Sequence, residues 1–139
     1  MSSGVGGRSR IAVPLLTAVA LLLPPSAGAQ PQSSVQVEMS EFAFQPATID
    51  LSAGRPIRLV LINHGQIAHQ FETEYLRALA VRIASGTVYA EAAGLDVIRL
   101  DPGGTARLEF VPRRRGRFVF ACTIEGHREA GMKGILEVR

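Results

Sequence analysis

The last quarter of the chain sets the tightest limits on its fold. Phe118 and Phe120 alternate with Val119 on the way to Cys122, the only cysteine. His127 follows, then Met132, and Ile135 to Val138 read as a further strand. A thiolate, an imidazole and a thioether thus share one short loop between two strands. Alternating strands bury one face each and need a second layer to bury it against. The three donors are soft to borderline, the set that suits copper.

Copper held for one-electron chemistry takes two imidazoles and a thiolate in a near-trigonal plane, with a weak axial thioether. The loop carries three of these four groups. The second imidazole must come from His64 or His69, the other two of three histidines in the chain. His64 stands in the turn Asn63-His64-Gly65, where histidines are commonly exposed. His69 lies between Ala68 and Gln70, just before Phe71, and is the favoured partner. A methionine at a strand start is often only core, but the neighbours Gly131, Lys133 and Gly134 favour a ligand role for Met132. Met39 has no such setting and reads as strand core.

The N-terminus follows different rules. Arg8 and Arg10 precede an apolar run from Ile11 to Leu23, broken by Pro24 and Pro25, and Ala27-Gly28-Ala29 offers a small-x-small cleavage site. This is the order of a secretory signal peptide over residues 1–29. The run is shorter than the roughly 20 residues of a membrane span, though an uncleaved anchor is the alternative. Residues 30–34 read as a flexible lead-in and 35–139 as the domain. The leader takes two of the 15 basic residues and none of the 12 acidic ones, so the remainder is near neutral. That balance gives no reason to expect a nucleic acid or other polyanion as partner. Arg113-Arg114-Arg115 reads as a solvated turn, with docking of an acidic partner as the alternative. One cysteine cannot form an internal disulfide, and an unpaired thiol in an oxidising compartment points to metal ligation over a buried structural thiol.

Along the domain, Val35, Val37 and Met39 alternate with polar residues, continued by Phe42 and Phe44. Ile49 with Leu51, Ile57 to Ile62, Leu95 to Leu100, and Ala106 to Phe110 read as further strands, with turns at Ala53–Pro56 and Asp101–Gly104. Apolar residues at 75, 76, 79, 80 and 83 have helical spacing, predicting a helix over 72–83 capped by Thr73. Residues 85–94 read as loop. About seven short strands with frequent turns predict an all-β, antiparallel Greek-key β-sandwich with one short inserted helix.

The segment Cys122-Thr-Ile-Glu-Gly-His127-Arg-Glu-Ala-Gly-Met132-Lys-Gly134 resembles the copper loop of the cupredoxins, the blue-copper family of plastocyanin, azurin and rusticyanin. Its spacing is most similar to the rusticyanin type. Asn63-His-Gly-Gln-Ile-Ala-His69 resembles the family's first-ligand loop. The resemblance covers most of residues 35–139. It implies a cupredoxin-like sandwich with His69, Cys122, His127 and Met132 as ligands of one type 1 copper ion. It also implies that Asn63 ties the first-ligand loop to the cysteine loop near Thr123. Three features depart from the family: Glu125 stands where many members have proline; Glu125, Arg128 and Glu129 put charge where members often present an apolar contact surface; and the helical insert 72–83 is longer than in the smallest members.

The expected function is a periplasmic, monomeric electron carrier that cycles Cu(I)/Cu(II) between redox protein partners. The alternative is a periplasmic copper-handling protein, a chaperone or resistance factor. A structural zinc site is a third option. An enzyme is not expected, because no histidine is left to build a second copper centre.

Overall fold

The computed structural model describes residues 33–139, together with residues 1, 3 and 4. The expected leader 1–29 therefore lies almost wholly outside the described residues. The described residues contain no helix long and apolar enough to cross a membrane.

Eleven strands are described. They are β1 (Ser33–Ser40), β2 (Ala43–Gln45), β3 (Thr48–Leu51), β4 (Ile57–Asn63), β5 (His69–Glu72), β6 (Val81–Ser85), β7 (Val88–Ala92), β8 (Val97–Leu100), β9 (Thr105–Phe110), β10 (Gly116–Ala121) and β11 (Lys133–Val138). They form a six-stranded sheet, β2-β1-β4-β9-β6-β7, and a five-stranded sheet, β3-β11-β10-β5-β8. The alternation read from the sequence becomes the core between them: Val37, Met39, Leu59, Leu61 and Leu108 from the first sheet meet Ile49, Phe71, Phe120 and Leu136 from the second, all essentially buried. Burial of each such side chain stabilises the fold by about 1.5–3 kcal/mol.

Three expectations need correction. The sheets are mixed: β1 pairs parallel with β4, and β11 with β3. The chain crosses from β2 in one sheet to β3 in the other, so β4 returns beside β1 in the same direction. Secondly, the helix over 72–83 does not form. Thr73 caps only a 3₁₀ turn, Glu74–Ala78, by accepting a hydrogen bond from the Tyr75 amide. That turn buries Tyr75 and Leu76; Val81 and Ile83 instead alternate along β6, which pairs with β9. The segment read as loop holds β7, and Gly86 at φ 55° turns the β6–β7 hairpin. A period of 3.6 and a turn followed by a strand give the same apolar marks over so short a stretch. Thirdly, the lead-in is too long, since Ser33 and Ser34 already pair with Ile57 and Arg58.

The arginine turn is anchored. The Tyr75 hydroxyl donates to the Arg114 carbonyl and accepts from the Arg113 amide, and the Arg114 guanidinium lies 4.4 Å from the Phe118 ring centroid.

In the second sheet, β5 and β10 share only the pair Ala121↔Glu72. Their aromatic residues reinforce that contact. Phe71 and Phe120 stack with centroids 5.0 Å apart, and Phe44 meets Phe120 edge-on at 5.1 Å. Gly134 of β11 makes room for this cluster, since a Cβ there would stand 2.2 Å from Phe120 Cζ and 2.5 Å from the Ala47 carbonyl oxygen.

Candidate metal centre

The stacked pair sets the positions of the donors. His69 lies two residues before Phe71, and Cys122 two residues after Phe120. His69 opens β5 opposite Leu100, and Cys122 directly follows β10. The chain then loops outward and returns: the Cys122 amide donates to the Met132 carbonyl, and the Met132 amide to the His127 carbonyl, each at 3.0 Å. Gly126 and Gly131, at φ 80° and 106°, make the two turns this path requires.

The potential ligand atoms of His69, Cys122 and His127 all lie within 4.8 Å of one another, and all three residues are buried. Cys122 Sγ is 3.3 Å from His127 Nδ1. The two imidazole centroids are 5.2 Å apart. Met132 is fully buried at the end of the same loop. His64, the other candidate, is exposed, with its backbone amide bonded to the Met39 carbonyl.

Asn63 is fully buried, but its partners differ from those expected. Its Nδ2 donates to the carbonyls of Ile67 and Leu100, and its Oδ1 accepts from the Gly65 amide. It shapes the loop before His69 and fastens it to β8, and it makes no bond to Thr123. Gln70, which the sequence reading passed over, links the two loops instead. Its amide donates to Cys122 Sγ at 3.3 Å, and its Oε1 accepts from Thr123 Oγ1 at 2.8 Å.

Glu41-Phe42 forms a turn, where the alternation read from the sequence continued a strand through Phe42. Phe42 adopts a left-handed φ of 61° and sets its ring edge-on to His127 at 5.2 Å. Glu41 Oε1 accepts a hydrogen bond from the Gln66 amide. No local pattern marks these residues, because their partners are distant in the chain. Glu125, Arg128 and Glu129 are all exposed, so the rim of the loop is charged.

Among the described residues, the buried side-chain nitrogens and oxygens without a hydrogen-bond partner are Nδ1 and Nε2 of His69. An unpaired buried polar atom costs about 1–3 kcal/mol. Two on one imidazole, beside a thiolate donor and a second imidazole, fit a site built for a metal with soft to borderline preferences. Burial, then the neighbouring His127, holds the His69 pKa below its ordinary 6.5, with the Glu41 carboxylate opposing. The unfolded chain therefore binds more protons than the metal-free fold once the pH falls below that ordinary value. Stability contributed by neutral His69 is present above it and is lost as the pH falls toward the lower folded pKa. We expect the Tm of the metal-free protein to be nearly flat above about pH 7 and to fall below about pH 6. A thermal unfolding series across that range checks this, and a flat profile to about pH 5 contradicts it.

The sequence matches the cupredoxin-like domain family over residues 13–136. The chain belongs to the cupredoxin-like family. Among this domain's relatives is a protein described as copper-resistant cuproprotein CopI from Rubrivivax gelatinosus, 36% identical over 121 residues, covering 83% of this chain and 72% of the relative. Similar folds include an auracyanin from the photosynthetic bacterium Roseiflexus castenholzii, at 19% identity and TM-score 0.54, over 78% of this chain and 98% of that one. A multicopper oxidase from Campylobacter jejuni matches at 19% identity and TM-score 0.62, over 84% of this chain. This cupredoxin-like domain spans 31% of that oxidase, and both structural matches bear on the fold alone.

Proposed function

We propose that this cupredoxin-like domain binds one type 1 copper ion through His69, Cys122 and His127, with Met132 as the weak axial ligand, and carries single electrons. The observation that supports it most is the buried His-Cys-His cluster with both His69 nitrogens unpartnered. Copper in such a ligand set supplies a one-electron couple with little rearrangement on transfer. The chain's own part is to hold the donors still. Asn63 shapes the first loop, the Gln70 amide steadies the Cys122 sulfur, and the backbone bonds of Met132 close the second loop. His127 is 6% exposed where Cys122, His69 and Met132 are fully buried, so it is the natural contact with a redox protein partner. With two of three histidines committed, His64 alone cannot form a second copper centre, and we propose no enzymatic activity. Export by the leader 1–29 to the periplasm and action as a monomer belong to the same proposal.

A second reading is copper handling in metal tolerance, favoured by the description of the Rubrivivax gelatinosus relative. Two measurements separate them. A carrier gives an intense visible band with Cu(II) that bleaches with ascorbate and returns on oxidation. A handling protein releases its copper to a competing acceptor within minutes and need not recycle.

Met132→Gln tests the axial ligand. An amide oxygen is a harder donor than a thioether and favours Cu(II). The variant is expected to keep its copper and its visible band while its potential shifts lower. An unchanged potential in voltammetry removes Met132 from the ligand set.

A further inference from the structure

Gly65 lies buried between the first loop and the β1–β2 turn. A Cβ added to it would stand 2.7 Å from Glu41 Oε1, 2.8 Å from His69 Nε2 and 3.1 Å from Asn63 Oδ1. The carboxylate and the imidazole nitrogen thus face one another across the space of one absent methyl group. His69 Nε2 is buried and has no hydrogen-bond partner. Glu41 is held in place, because its Oε1 accepts a hydrogen bond from the Gln66 amide. Its neighbour Phe42 takes a left-handed φ, rare for an aromatic residue, and meets His127. One tight turn therefore touches the surroundings of both imidazoles.

We propose that Glu41 is a positioning residue for the metal centre: its carboxylate faces Nε2–H of His69, directs Nδ1 toward the metal, and biases the bound copper toward Cu(II). The inference rests on copper binding at His69, Cys122 and His127. A metal-bound imidazole whose other N–H meets a carboxylate is a stronger donor, and its orientation is set by that contact. A negative charge near the metal also stabilises the more highly charged oxidation state. Both effects act in one direction. Gly65 is required for the same reason, since any side chain there would stand between the two groups. The backbone hydrogen bond from Gln66 is the main cause that holds the Glu41 pKa below its ordinary value, so the carboxylate stays ionised at neutral pH.

Glu41→Gln separates this role from a purely structural one. The glutamine keeps an oxygen for the Gln66 amide and removes the charge. The expected result is an unchanged visible band, a potential more positive than wild type, and Cu(II) affinity lower by about tenfold or more with a smaller change for Cu(I). In the Cu(I) protein, the Nε2 proton of His69, followed by ¹⁵N-edited NMR, should exchange with water several-fold faster in the variant. Glu41→Ala should show the same shift together with a lower Tm. A Glu41→Gln protein with wild-type potential and wild-type proton exchange overturns the proposal, leaving Glu41 a clamp on the loop. A wild-type protein with no thiolate–copper band overturns the copper reading itself, and the two failures are distinct.

Discussion

Cys122→Ala is expected to abolish the intense visible band of the copper-loaded protein and to lower Cu(II) affinity by orders of magnitude. In the proposed copper site the thiolate is the one anionic donor, and its bond to copper would be the origin of the band. It also organises its neighbours: the Gln70 amide and His127 Nδ1 both point at Sγ from 3.3 Å. Alanine leaves two imidazoles and a thioether, a set that binds Cu(II) weakly and without strong colour. The replacement removes little volume from a loop closed by backbone bonds, so the variant should fold, and its circular dichroism should match wild type. A surviving blue or green band places the copper elsewhere and ends the assignment.

Phe120→Ala is expected to have the largest effect on stability. Phe120 is fully buried between Phe71, Phe44 and Gly134, and truncation of such a ring costs about 3–5 kcal/mol. For a domain of this size that corresponds to a Tm lower by about 15–25 °C. Because β5 and β10 share one residue pair, the Phe71–Phe120 stack carries much of the contact between the strand of His69 and the strand leading to Cys122. The variant should therefore also load copper more weakly, even at temperatures where it remains folded. Calorimetry of both metal-free proteins checks the first effect and a copper titration the second. A loss under about 1 kcal/mol would show that the neighbouring rings collapse into the space.

Much of this arrangement was legible in the chain before any coordinates. Cys122 and His127 sit on one loop bounded by two alternating strands, so their nearness follows from spacing alone. His69 was separable from His64 because one precedes an apolar strand residue and the other lies in a turn. The two-layer fold followed from the same alternation. What escaped depends on distance. Gln70 reaches Thr123, and Glu41 reaches Gln66, across stretches no local pattern records. Asn63 was noticed, but its partners Ile67 and Leu100 were not, because side-chain direction at a loop end depends on the packed strands around it. The helix over 72–83 failed for another reason. Tyr75 and Leu76 are buried by a short turn, and Val81 by a strand in the opposite sheet, so two separate burials imitated one helical face.

The single thiol has a consequence for how the protein would keep its shape in the periplasm proposed for it. Many exported domains of this size close their chain with disulfide bonds, and here the cysteine count forbids one. With copper in place, residues 69 and 122 would be joined through the ion, closing a large loop much as a covalent cross-link does. Such a staple reopens when a chelator or a competing protein withdraws the ion. Resistance to heat and to proteases would then rise and fall with the copper supply, and the folded fraction would itself report how much metal the compartment holds.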